Sequence, residues 1–190
     1  TRSASATAIS SATPRKAPKV MPRPRLVTSP PRSSGWRASA RDLVAAINAL
    51  EPVAIGVAGE DGRLLEVEPV DERLGYVGRV VKVRGDLLSD FHDDGLIPIV
   101  STVGADRSAQ PYNVNADDAA RAIAVAMKAE KIIYLTGAPG LLSDPSNPSS
   151  LVHRLSASEA RAQIAEEGVS GGMIPKLLAC ADAVEGGVGS

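Results

Sequence analysis

Apolar residues recur along the chain at two different spacings, which indicate two kinds of secondary structure. Intervals of three and four residues are typical of one helix face, and they predict helices at residues 42–50, 86–94, 116–127, 157–166 and 174–184. Short apolar runs between turn-forming residues predict strands at 52–57, 64–67, 76–83, 96–100 and 131–136. Strands that alternate with helices predict an α/β fold with a mostly parallel sheet covered on both faces, and 64–83 would be a hairpin at its edge. We expect 96–100 and 131–136 to be buried.

Composition refines this picture. The 190 residues are 44% hydrophobic but only 3% aromatic, so the core must be built from Ala, Val, Ile and Leu. The single cysteine, Cys180, excludes an internal disulfide and lies on the apolar side of its predicted helix, which favours a buried structural thiol. No apolar run approaches the length that a membrane span needs, so we expect no membrane partner.

The first 41 residues differ in charge from the remainder. They contain nine Lys and Arg and no Asp or Glu, so residues 42–190 carry a net charge of −10 within a chain of net charge −1. Six prolines and few apolar groups predict a disordered basic tail at 1–41, ahead of a folded domain at 42–190. A transit peptide, a functional basic arm and a reading-frame error upstream of a genuine domain all fit this composition. A transit peptide implies the plastid stroma, and otherwise we expect the cytoplasm. Trp36 is the only aromatic residue there, so we expect no nucleic-acid partner.

The segment Tyr-Asn-Val-Asn-Ala-Asp at 112–117 precedes one of the predicted helices. Asn115 stands at the expected N-cap, with Asp118 three residues later, and Asp117 and Asp118 suit the helix dipole. Capping does not account for Asn113. Paired asparagines on a strand-to-helix loop also suit a ligand that has carboxylate and amide groups, so both interpretations stay open.

The segment Ser-Gly-Gly-Met-Ile-Pro-Lys at 170–176 begins another predicted helix. Proline is favourable in the first helical turn, but the cation of Lys176 opposes the helix dipole unless an anion binds there. Glycine N–H groups, a helix N-terminus and a lysine together suit a phosphate, whereas a glycine loop with a solvated lysine is the simpler alternative.

Together with Lys-Ile-Ile-Tyr-Leu-Thr-Gly-Ala-Pro-Gly-Leu at 131–141, these segments resemble the amino-acid kinase family, and within it the N-acetylglutamate kinases. The resemblance runs from about Asp42 to the end of the chain. It implies a partial three-layer αβα sandwich of that family. The implied reaction is transfer of the γ-phosphoryl of ATP to the side-chain carboxylate of N-acetyl-L-glutamate in arginine synthesis, by a phosphotransferase with a carboxyl acceptor.

The resemblance also implies roles for individual residues. Asn113 and Asn115 would bind the substrate, Asp117 would orient lysines, and Lys176 would stabilise the phosphoryl group in transfer. The implied nucleotide and phosphate contacts are Thr136, Gly137, Gly171, Gly172 and Met173. Mg²⁺ would arrive with ATP and need no protein metal site of its own.

Other expectations concern partners and alternatives. The resemblance implies a homo-oligomer (a hexamer or a dimer), inhibition by arginine, and control by the signalling protein PII. A glutamate 5-kinase or aspartokinase type is the alternative enzyme, and a non-catalytic PII-binding fragment is the alternative of another class. The family's Lys-x-Gly-Gly strand end, second Gly-Gly loop and clamp arginine have no counterpart here, and Gly137 replaces an acidic residue. We therefore expect a chain truncated at both ends.

Overall fold

The computed structural model describes residues 27–28, 36–137, 140–144, 146–166, 169 and 172–189. Its helices are α1 Trp36–Asn48, α2 Gly85–Asp93, α3 Ala116–Ala126, α4 Ala157–Ala165 and α5 Met173–Glu185. Its strands are β1 Val27–Thr28, β2 Ala54–Ala58, β3 Leu65–Pro69, β4 Val77–Val83, β5 Ile97–Ser101, β6 Val103–Ala105, β7 Pro111–Val114 and β8 Ile133–Tyr134. Each predicted helix and strand corresponds to one of these elements, so the α/β prediction is confirmed. None of the helices in the described part of the chain is both long and apolar enough to cross a membrane.

Parallel pairing dominates one side of the fold. Strands β2 and β5 pair in parallel from Ala54 opposite Ile97 to Ala58 opposite Ser101. Strand β1 pairs in parallel with β8 and also contacts β5, so the two parallel pairs β1–β8 and β2–β5 are neighbours. The expected mostly parallel sheet is therefore present.

Helices cover both faces of this sheet. Val57 of β2 belongs to a buried cluster that includes Leu88 of α2 and Ile123 of α3. The preceding residue, Gly56, points the other way, because a Cβ built there would lie 3.6 Å from the side chain of Val44 in α1. Successive strand residues face opposite sides. Helix α1 therefore packs on one face, and α2 and α3 pack on the other.

The predicted hairpin at 64–83 is confirmed, and it belongs to a small closed barrel of order β3-β4-β7-β6. Pairs β3–β4 and β6–β7 are antiparallel, whereas β4–β7 and β3–β6 are parallel. Strands β6 and β7 were not predicted, because three or four residues are too few for a clear alternation of apolar and polar positions. Strand β7 ends at Val114, directly before the N-cap of α3, so the barrel fixes where that helix begins.

The predicted boundary between the disordered tail and the folded domain, at residue 41, needs correction. Residues 27–28 form β1 and helix α1 begins at Trp36, so both lie inside the segment 1–41 that was predicted to be disordered. The other tail residues, 1–26 and 29–35, lie outside the described residues.

The prediction of a buried strand at 131–136 is also wrong in part. Only Ile133 and Tyr134 are extended and paired, and Ile133 and Leu135 are 38% and 53% exposed. Strand β8 pairs only with β1 among the described strands, so an apolar run that looks buried in sequence has little covering it.

Candidate functional site

Helix α3 begins with a complete side-chain cap. The Asn115 Oδ1 atom accepts hydrogen bonds from the backbone N–H groups of Asp117 at 2.9 Å and Asp118 at 3.2 Å. The N-cap prediction is therefore confirmed. Asp118 does not complete a capping box in this arrangement. Its carboxylate instead accepts hydrogen bonds from Arg121, one turn further along.

Helix α5 begins differently. Its N-cap, Gly172, has no side chain to cap the helix, and its first turn contains no acidic residue. A Cβ on Gly172 would meet no atom within 4 Å, so the space beside the helix start is open toward the described residues. Lys176 stands in this first turn, where a cation opposes the helix dipole.

The two helices run in the same direction. Asp117 and Lys176 are in contact at their beginnings, and Ala124 and Ala183, each seven residues further on, belong to one buried cluster. Further along, Gly186 lies so close to Val125 that a Cβ built on Gly186 would be 2.7 Å from the Val125 side chain. Both N-termini therefore lie at the same end, where their partial positive charges add.

An ion pair joins the two helix starts. The Lys176 Nζ atom donates to Asp117 Oδ1 at 2.8 Å and to Asp117 Oδ2 at 2.9 Å, across 59 residues of sequence. Each side chain is 19% exposed. The pair is thus largely shielded, so its attraction is screened less than that of a surface pair. The structure brings together two residues that the sequence singled out separately, and their roles in a reaction stay predictions.

Tyr134 of β8 contacts both members of this pair. Its ring centroid lies 5.5 Å from the Lys176 Nζ atom, and its hydroxyl donates to the backbone oxygen of Asp117 at 3.3 Å. Burial, with the neighbouring Cys180 and Asp117, raises the pKa of the phenol far above its usual range. The hydroxyl therefore stays protonated and remains a donor at neutral pH.

Cys180, one turn after Lys176, completes the surroundings of the pair. The thiol is partly buried, and burial together with the Asp117 carboxylate raises its pKa, although Lys176 opposes this shift. A protonated thiol is a poor nucleophile. The side chain is therefore a packing group at neutral pH, which agrees with the structural role predicted for it.

The remaining predicted site residues are spread around this centre. Asn113 is exposed on β7, and its N–H donates to the backbone oxygen of Tyr76 at 2.8 Å. Thr136 and Gly137 are exposed and follow β8 by two and three residues. Met173 is the partly buried first residue of α5, and Gly171 lies outside the described residues.

Sequence reasoning missed Tyr134 as a site residue. The tyrosine lies within the segment 131–141, but nothing in a two-residue strand indicates which way its side chain points. Cys180 lies on the apolar side of its helix, but its proximity to Asp117 depends on the packing of α3 against α5. Both contacts are long-range, so no local pattern could have revealed them.

Within the described ranges, no group of three or more His, Cys, Asp or Glu side chains is arranged to hold a metal ion. The polar groups at the helix starts, an ammonium and backbone N–H groups, suit an anion rather than a cation.

Comparisons with known proteins agree with this architecture. The model of the amino acid kinase family matches residues 36–190. An acetylglutamate kinase of Syntrophomonas wolfei is 40% identical over 151 residues, which cover 78% of this chain and 53% of the relative. An acetylglutamate kinase of Acaryochloris marina is 44% identical over 149 residues, with 78% and 52% covered. The chain spans about half the length of these curated relatives.

Solved structures show the same fold. The protein smu.665 of Streptococcus mutans superimposes with a TM-score of 0.69 at 25% identity, covering 80% of this chain and 63% of that one. A carbamate kinase of Giardia lamblia bound to AMP-PNP superimposes with a TM-score of 0.58 at 15% identity, covering 76% and 56%. Because the family model matches most of the sequence and the architecture agrees with these structures, the chain belongs to the amino acid kinase family.

Proposed function

We propose that this chain provides the centre of an acetylglutamate kinase, which transfers the γ-phosphoryl of ATP to the side-chain carboxylate of N-acetyl-L-glutamate. The observation that carries the proposal is the Asp117–Lys176 ion pair at the shared N-terminal end of α3 and α5. The two curated relatives named above support this substrate over glutamate or aspartate, because both are acetylglutamate kinases.

Lys176 is suited to stabilise a phosphoryl group while it is transferred. An ammonium has three N–H donors, and Asp117 accepts two of these hydrogen bonds, so one donor is left for a phosphoryl oxygen. Phosphoryl transfer needs positioning and charge stabilisation more than a protein nucleophile. A lysine already oriented by a carboxylate needs little rearrangement when negative charge develops on the transferred group.

Asp117 acts in this proposal as the orienting group, not as a base. Both carboxylate oxygens accept hydrogen bonds from Lys176, and the backbone oxygen accepts one from Tyr134. With these contacts in place, the carboxylate holds the lysine at the end of α5. The positive ends of both helix dipoles then add to the field at an incoming phosphate.

The asparagines would bind the acetylated amino acid. The Asn115 Oδ1 atom is occupied by the helix cap, which leaves the amide NH₂ group to donate to a carboxylate or carbonyl oxygen. Asn113 is exposed at the end of the barrel, two residues before Asn115. Two amides on one loop can therefore contact the carboxylate and acetamido groups at the same end of one substrate.

The nucleotide would contact the exposed segment after β8 and the start of α5. Thr136 and Gly137 follow β8, and Gly172 and Met173 begin α5. Gly171 completes the proposed phosphate loop by sequence adjacency. A Cβ built on Gly137 or Gly172 would meet no atom of the described residues within 4 Å, so a phosphate or ribose can approach the backbone closely on that side. Mg²⁺ would accompany ATP and neutralise part of the phosphate charge.

A hydroxylamine-trapping assay tests the substrate. Acyl phosphate products react with hydroxylamine to give hydroxamates, which form coloured complexes with ferric ion, so the chain is assayed with ATP and N-acetyl-L-glutamate, L-glutamate or L-aspartate in turn. We expect ATP-dependent hydroxamate from N-acetyl-L-glutamate alone, and none from the Lys176→Ala variant. Product from L-glutamate but not its N-acetyl form would show that the substrate is misassigned. No product from any of the three would contradict catalysis by this chain.

The proposal extends to assembly and regulation. A homo-oligomer, inhibition by arginine and control by PII follow from the resemblance of the chain to acetylglutamate kinases, and a transit peptide at residues 1–41 would place the protein in the plastid stroma. Light scattering coupled to size exclusion, with and without a PII protein, measures assembly and PII binding, and the hydroxamate assay with added arginine measures inhibition. A monomer that neither co-elutes with PII nor is inhibited by arginine would remove these three from the proposal.

A further inference from the structure

Tyr134 makes two contacts at the site, and they reach different helices. Its ring faces the Lys176 ammonium of α5, with the Nζ atom 5.5 Å from the ring centroid. Its hydroxyl donates to the Asp117 backbone oxygen in the first turn of α3 at 3.3 Å. The separation of 5.5 Å lies within the range of about 6 Å over which a cation is attracted to an aromatic face.

Core packing does not account for this tyrosine. Its neighbours on the strand, Ile133 and Leu135, are 38% and 53% exposed. Tyr134 belongs to neither of the two buried apolar clusters of the described residues, although Ile132 packs against one of them. A side chain that is partly buried outside the core, with a hydrogen-bonded hydroxyl, is explained better by its polar contacts than by its volume.

The ion pair alone leaves Lys176 some freedom. A lysine side chain has four rotatable carbon–carbon bonds, and its ammonium can turn about a carboxylate while keeping its hydrogen bonds. An aromatic face on one side restricts the positions that the ammonium can occupy. The hydroxyl bond to α3 fixes the ring relative to the carboxylate that the lysine contacts.

We propose that Tyr134 is a positioning residue, which holds the Lys176 ammonium against Asp117 and so aims its remaining N–H donor at the phosphoryl group. This inference rests on the proposed function for its consequence in catalysis. The restraint on Lys176 itself is a property of the folded chain and can be measured without any activity.

The test compares two substitutions of Tyr134 with a matched control. Tyr134→Leu removes the ring and the hydroxyl, whereas Tyr134→Phe keeps the ring. Phe91→Leu removes an aromatic ring that packs against the main buried cluster, so it reports the effect of a similar loss of volume away from the pair. The first readout is the rate at which a lysine-acetylating reagent modifies Lys176 in the folded protein, measured by mass spectrometry and compared with exposed Lys82.

We expect Tyr134→Leu to raise the acetylation rate of Lys176 by about threefold to tenfold, because the ammonium loses its aromatic partner and becomes accessible. Tyr134→Phe and Phe91→Leu should leave that rate within about twofold of the original chain, and Lys82 should react equally in all four proteins. An unchanged rate in Tyr134→Leu would overturn the proposal. An equal rise in Phe91→Leu would overturn it too, because the effect would then follow the loss of volume and not the contact with Lys176.

The second readout is the split between kcat and KM with N-acetyl-L-glutamate. A displaced Lys176 should lower kcat of Tyr134→Leu about tenfold or more, with KM within about twofold, since positioning acts on the transition state. A rise in KM with kcat unchanged would overturn the role in catalysis. Should the original chain show no turnover, the proposed function fails, and the acetylation rates still decide whether Tyr134 restrains Lys176.

Discussion

Helices α3 and α5 begin at the same end of the fold but in opposite ways. The start of α3 is satisfied by its own sequence: Asn115 caps two N–H groups, and two aspartates follow in the first turn. The start of α5 has a glycine cap with no side-chain bond, no acidic residue in its first turn, and Lys176 in an unfavourable place. A helix start left open in this way is poor for stability and well suited to an anion.

The difference shows how one helix compensates the other. Asp117 belongs to α3, yet its carboxylate supplies the negative charge that the first turn of α5 lacks. The carboxylate of Asp117 in the capped helix α3 thus neutralises the ammonium of Lys176 in α5. Because the two helices run in the same direction, the Asp117–Lys176 ion pair links both starts, while Gly172 at the N-cap of α5 supplies no side-chain hydrogen bond.

The largest expected effect comes from removing the cation of α5. We expect Lys176→Ala to lower kcat by about 100-fold to 1000-fold while the KM for N-acetyl-L-glutamate changes by less than about fivefold. Steady-state kinetics measures both constants, and Lys82→Ala, which truncates an exposed lysine on β4, is the control. A large rise in KM with little change in kcat would place Lys176 in substrate binding instead, and the contrast between the two helix starts would lose its functional meaning.

A smaller effect is expected when the two caps are exchanged for alanine. Asn115→Ala removes both side-chain hydrogen bonds at the start of α3 and should cost about 1 kcal/mol in the free energy of unfolding. Gly172→Ala removes no bond and meets no atom of the described residues, so its effect should stay below about 0.5 kcal/mol or be slightly stabilising. Urea denaturation of both variants measures the difference. Equal losses would mean that α5 depends on its glycine as much as α3 depends on its asparagine.

The smallest effect concerns alkaline pH. Folding raises the pKa of both Tyr134 and Cys180 above their ordinary values of 10.0 and 9.0. Below pH 8 both groups are protonated in the folded and the unfolded chain, so they add no pH dependence. Above about pH 9 the unfolded chain loses these protons first, so the free energy of unfolding falls as the pH rises.

Substitution of both groups isolates this effect. The Tyr134→Phe/Cys180→Ala double variant should lose less stability than the original chain between pH 8 and pH 11, because neither group can ionise. Urea denaturation across this range measures how the free energy of unfolding changes with pH in each protein. The lysines and the remaining tyrosines contribute to both proteins alike. Parallel slopes would show that the surroundings of the ion pair do not disfavour the charged forms.

Local chemistry predicted much of the fold. Ser156 and Glu159 form a capping box at the start of α4, which corresponds to the predicted helix 157–166, with the Glu159 carboxylate 2.8 Å from the Ser156 backbone nitrogen. Asn115 caps α3 as its position indicated. Such contacts join residues within one turn of helix, so the chain needs no tertiary partner to specify them. The hairpin of β3 and β4 was predicted for the same reason.

Predictions failed where the answer depended on distant parts of the chain. The apolar run at 131–136 looked buried, but Leu135 is 53% exposed, because burial depends on which elements cover a strand. The barrel strands β6 and β7 were missed, since the pairing of β4 with β7 joins residues that are far apart in sequence. Helix α1 begins at Trp36, within a segment whose composition suggested disorder.

The sequence by itself determined which residues carry the candidate chemistry, and the tertiary structure decided how they meet. Asp117 and Lys176 were each conspicuous in their own segments, but their contact spans 59 residues and exists only because α3 packs against α5 in the same direction. Tyr134, the last residue of the short strand β8, also contacts the pair, and no local sequence pattern indicated this contact. Helix caps and the helical period are determined by neighbouring residues, whereas the position of an ammonium between a carboxylate and a ring depends on how three separate elements pack.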